Sequence, residues 1–62
     1  MTIFQYIAHL RCQQAAKLLA ETEMPVSEVS AYVGYIDTNY FTKVFKQQFG
    51  MAPSVFRANK TI

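Results

Sequence analysis

Apolar residues recur along this chain with a helical period, interrupted at Pro25, Gly34, Gly50 and Pro53. The interruptions leave one long segment, two shorter ones and a stub. Over residues 26–33, placing successive residues about 100° apart gathers Val26, Val29 and Val33, with small Ser30, on one arc. Pro25 suits a helix entrance, and Gly34 follows where a left-handed backbone closes a helix without a Cβ clash. Over residues 37–48 the same arithmetic puts Tyr40, Phe41, Val44 and Phe45 on an inner side. Thr38, Asn39, Thr42, Lys43 and Lys46 share the opposite side, within about 140°. Asp37 can cap this helix. Phe49 falls off its apolar arc, so the helix is expected to loosen there and end at Gly50. Pro53 then opens a short final helix, about residues 53–57.

The first segment, about residues 2–22, has no Gly or Pro and is rich in Ala, Leu and Gln, all good helix formers. Its apolar surface is not one stripe. Ile3, Tyr6, Ile7 and Leu10 form one patch, while Phe4, Ala8, Cys12, Ala15, Leu18 and Leu19 form another, rotated by about 100°. A helix with two apolar faces packs on two bodies, and this chain supplies one. The second set is expected to cover a core of Val29, Val33, Phe41 and Phe45. The first set is left for another body: a preceding unit in a longer parent chain or, in a fragment, most simply a second copy in a two-fold homodimer.

Composition narrows the class. With 62 residues, there is room for one small domain. Hydrophobic residues make up 52% and charged residues 16%, too apolar for a disordered tail. The single Cys excludes an internal disulfide and a pair of CxxC knuckles, and it suits a reducing, cytoplasmic setting. No apolar run approaches the roughly 20 residues of a membrane span. The net charge of +2 permits an anionic partner without demanding one. The expectation is an all-α domain of three to four helices with a long first helix.

Two short helices joined by a tight turn at Gly34 match a helix-turn-helix of the homeodomain-like class. In that motif the first helix braces the second, which lays an exposed polar face in the major groove of duplex DNA. The outer face here has the required chemistry. Asn39 can bond both edge groups of adenine, Thr38 and Thr42 offer hydroxyls and methyls, and Lys43 can donate to guanine. Lys46, further along, is placed for phosphate, as Arg57 and Lys60 could be. An ordinary bundle with a solvated outer face would read the same way. So would a protein-interaction module docking through Tyr6, Ile7 and Leu10.

The remaining chemistry is thin. His9 and Cys12, three apart, make half a metal site with no second half in the chain. The carboxylates are scattered, and no phosphate loop or nucleophile–base pair is present, so neither catalysis nor a cofactor is expected. The aromatics Tyr40, Phe41, Phe45 and Phe49 read as core rather than as a stacking platform. Arg11, between the apolar faces, either pairs with a carboxylate such as Glu28 or is solvated.

Specific residues go further. Arg11, Ala15, Leu18 and Leu19 are followed by Val26, Glu28, Val29 and Ser30, then Gly34 and Tyr35. Asp37, Tyr40 and Phe41 come next, with Phe45 and Lys46, and last Gly50, Pro53, Phe56 and Arg57. In that order and spacing the run from Arg11 to Arg57 resembles the C-terminal DNA-binding region of the AraC/XylS family of bacterial transcription regulators. Cys12 stands where a larger aliphatic is usual, and Ser30 where Ala is usual. The resemblance implies the linking helix and second helix-turn-helix unit of a two-unit region. It also implies promoter DNA as partner and RNA polymerase as a possible partner of a longer regulator. Residues 1–6 faintly echo 51–56, which fits an internal Met1.

Overall fold

The computed structural model describes residues 2–60, the last of them by its backbone alone. The readings made of Met1 and of the Lys60 side chain lie outside this description. Four helices follow in order: α1 (Ile3–Glu21), α2 (Val26–Tyr32), α3 (Thr38–Phe49) and α4 (Pro53–Lys60). Thr2 opens α1 with a capping box. Its hydroxyl accepts from the Gln5 amide while the Gln5 side chain accepts from the Thr2 amide. Asp37 caps α3 as its position implies, its carboxylate accepting from the Asn39 amide at 2.9 Å.

Cys12, Ala15 and Leu19 of α1 close over Val29, Val33, Phe41, Val44 and Phe45 to form the core. Phe45 is the hub of an aromatic cluster, with Phe41, Phe49 and Phe56 at ring-centroid distances of 5.8, 4.6 and 5.4 Å. This cluster explains one departure from periodicity. Phe49 does not loosen α3. It stays helical and half-buried because Phe56 of α4 covers it, and Gly50 at φ +77° then closes the helix. The final helix also runs past residue 57, to Lys60.

Burial along the core-side meridian of α1 is graded. Leu19, Ala15 and Cys12 are buried, Ala8 is half-buried, and Phe4 is exposed. Ile3 and Phe4 are 68% and 81% exposed, so the first turn of α1 overhangs the other helices. Phe4, assigned to the core by its angle, has nothing beneath it. Ile3, Tyr6, Ile7 and Leu10 are exposed, as the two-faced reading expects.

Arg57 has a structural post. Its Nε donates to the Leu19 carbonyl at 3.1 Å and an Nη to the Thr22 carbonyl at 3.3 Å. The last turn of α1 has no basic residue of its own, so this cation from α4 complements the orphan carbonyls there. The guanidinium thus reaches inward to α1 and braces the end of that helix.

Candidate nucleic-acid interface

The turn between α2 and α3 sets the angle at which α3 is presented. It is a Schellman closure: the Gly34 amide donates to the Ala31 carbonyl and the Tyr35 amide to the Ser30 carbonyl. Gly34 has φ +105°, a conformation that side chains with a Cβ rarely adopt. The fully buried Ser30 hydroxyl donates back to the Tyr35 carbonyl at 3.2 Å, which satisfies it. A serine in place of alanine therefore ties the helix to its own turn.

Arg11 of α1 locks the turn from above. Its guanidinium lies 5.3 Å from the centroid of the Tyr35 ring and packs against Gly34. Glu28, the carboxylate suggested as its partner, is exposed and does not pair with it. Burial raises the Tyr35 hydroxyl above the usual phenolic range, with Cys12 adding to the effect and Arg11 opposing it. The Cys12 thiol is pushed up to about 11 by burial, so it stays protonated and packs as a small hydrophobe. His9 Nδ1 meets Gln48 Oε1 at 3.4 Å across α1 and α3, and no metal-binding cluster exists among the described residues.

The outer face of α3 sorts the predicted residues into two groups. Asn39, Lys43 and Lys46 are exposed, four and then three residues apart, so they share one stripe. Thr38 and Thr42 stand at its rim, half-buried, and the Thr42 hydroxyl donates to the Thr38 carbonyl at 2.9 Å. That bond uses the only proton of Thr42 and leaves its oxygen an acceptor. Two lysines and no carboxylate lie on α3, which makes the face cationic.

Sequence reasoning missed Tyr40. Placed on the inner arc, it is 58% exposed, and its ring touches Tyr35 at 5.9 Å. The signal was in the angles, since Tyr40 lies only about 60° from Lys43, at the border of the inner arc. Ile36, in the turn before α3, is wholly exposed and was not singled out.

A short helix bracing a second one whose exposed face is polar and cationic is the geometry of a helix-turn-helix. Comparison with known proteins agrees: a family model described as a helix-turn-helix domain matches residues 1–59. The chain belongs to the AraC-type helix-turn-helix family. It is 44% identical over 57 residues to the HTH-type transcriptional activator RhaR of Cronobacter sakazakii, covering 92% of this chain and 20% of that protein. RhaR of Mannheimia succiniciproducens is 41% identical over 58 residues, covering 94% of this chain and 21% of the relative. The chain thus spans about a fifth of the length of the curated relatives it matches. No solved structure matches it. AraC-type regulators bind double-stranded DNA, and this chain is a DNA-binding helix-turn-helix unit of that kind. Among the described residues, no helix is long and apolar enough to cross a membrane.

Proposed function

We propose that this chain reads promoter DNA with α3 in the major groove. In this reading Asn39 and Lys43 bond base edges, Thr38 and Thr42 contact bases at the rim, and Lys46 binds phosphate. The observation that carries it is the exposed stripe of Asn39, Lys43 and Lys46 on a helix whose other side is core. Asn39 and Lys43 belong to the N-terminal half of α3, the end that meets bases when a recognition helix enters the groove. Lys46 is a turn further back, where the helix leaves the base edges for the backbone. The chain acts by binding rather than catalysis, in the cytoplasm, and a longer regulator carrying it would meet RNA polymerase at the promoter.

Substitution tests the assignment. Asn39→Ala or Lys43→Ala is expected to cost about 1–3 kcal/mol at one preferred base step and to relax choice there. Lys46→Ala should weaken binding to all duplexes alike and reduce the slope of log affinity against log salt by about one. Gel shifts on a set of single-base variants at two salt concentrations measure both effects. An Asn39→Ala protein with unchanged base preference means the face is assigned wrongly.

The overhanging end of α1 supports a second role. Ile3, Tyr6, Ile7 and Leu10 are exposed at helical spacing, a large apolar patch for so small a chain. We infer that two copies pair through it about a two-fold axis. Burying each side chain contributes about 1.5–3 kcal/mol before the costs of association. Analytical ultracentrifugation should show a dimer that Ile7→Lys with Leu10→Lys converts into a folded monomer. A wild-type chain that sediments as a monomer throughout the micromolar range excludes the pairing. Unfolding of the double variant assigns the patch to the core.

A further inference from the structure

Tyr40 has no task in the core, yet its position is fixed. It is the third residue of α3, next to Asn39 and one turn before Lys43. Its ring leans on Tyr35 at an interplanar angle of 56°. Tyr35 is itself held by Phe41, at 5.6 Å, and by the Arg11 guanidinium above it. Tyr40 is therefore an exposed side chain braced on a ring that is itself packed on both Phe41 and Arg11, so it has less rotamer freedom to lose on binding. The turn leading into the same end of α3 carries Ile36, which is wholly exposed and has no polar side-chain atom. Together they add apolar surface to a face otherwise built of Asn, Thr and Lys.

In the major groove, the apolar feature that a base pair presents is the thymine C5-methyl group. We propose that Tyr40 is a specificity-determining residue whose ring packs on a thymine methyl beside the base pair read by Asn39 and Lys43, with Ile36 widening the apolar shelf. The assignment rests on the major-groove reading given above. It differs from a phosphate contact by the Tyr40 hydroxyl, because a phosphate is indifferent to the methyl.

The test begins with duplexes selected from a random pool by this chain at low salt. Each thymine of the preferred duplex is then replaced singly by uracil, which deletes the methyl and preserves every hydrogen-bonding group. The wild-type chain should lose about fourfold in affinity at one or two positions, the value of one buried methyl-sized group. Tyr40→Ala should bind thymine and uracil duplexes equally at those positions, while Tyr40→Phe should keep the wild-type difference. If removal of the ring lowers the melting temperature by releasing Tyr35, the comparison is made well below that temperature, where circular dichroism shows Tyr40→Ala folded. Full uracil sensitivity in the ring-deleted variant overturns the proposal. So does a Tyr40→Phe loss that is equal on both duplexes, which assigns the hydroxyl to phosphate. A preferred sequence that depends on Asn39 and Lys43 but shows no uracil effect overturns the thymine assignment alone. A chain that selects no sequence overturns the major-groove reading and this proposal with it.

Discussion

Phe45→Ala is expected to unfold the chain at ambient temperature. Phe45 is fully buried and in ring contact with Phe41, Phe49 and Phe56, so it joins the middle and end of α3 to α4. Deleting such a ring costs about 3–5 kcal/mol through lost burial and the cavity left behind. A single small core rarely supplies more than about 3–5 kcal/mol of net stability in a chain of this length. The two figures are of the same size, so the substitution consumes the whole margin. Far-UV circular dichroism on heating checks this: loss of the helical signal at 25 °C is the expected result. A cooperative melt within a few degrees of wild type means the aromatic cluster is not the core's centre. Duplex binding should disappear with the helicity, because α3 has no fold of its own to hold it.

Gly34→Val is expected to give the second largest loss, through two separate mechanisms. The backbone at φ +105° is strained for any residue with a Cβ and most for a β-branched one, a cost of about 1–3 kcal/mol. A Cβ at this position also comes within 3.2 Å of the Arg11 guanidinium carbon, so the guanidinium over Tyr35 must give way by a few tenths of an ångström. Gly50 offers the internal comparison: its φ is also positive, at +77°, but nothing lies within 4 Å of an added Cβ. Gly34→Ala should therefore lower the urea midpoint more than Gly50→Ala, and Gly34→Val more than either. Equal midpoints for the two alanine variants remove Arg11 from the account. An unchanged midpoint for Gly34→Val removes the turn as well.

Much of this molecule is legible in the sequence because its helices announce their own ends. Asp37 is a cap, and Gly34 and Gly50 are closures at the two places where the backbone turns left-handed. The inner faces of α2 and most of α3 follow from angle alone, because short helices packed on one side bury one arc. Angle fails where burial depends on what lies opposite. Phe4 shares a meridian with Cys12 but overhangs the bundle, and Phe49 leaves the apolar arc but meets Phe56 from another helix. Tyr40 sits at the border, where a few tens of degrees decide between core and groove. Long-range polar partners are illegible for a similar reason. Nothing local to Arg57 indicates that its guanidinium serves carbonyls 35 and 38 residues earlier. Nor does Arg11 advertise an aromatic ring over an acid as its neighbour.

The post held by Arg57 also sets an order of events at the ribosome. A chain emerges N-terminus first, at about 5–20 residues per second. The first helix is therefore synthesised before the cation that satisfies its last carbonyls and the Phe56 ring that completes the aromatic cluster. During that interval the helix-turn-helix exists as sequence but lacks its closing piece. A unit whose first helix is fastened by its fourth gains that stability only once the fourth helix has been made.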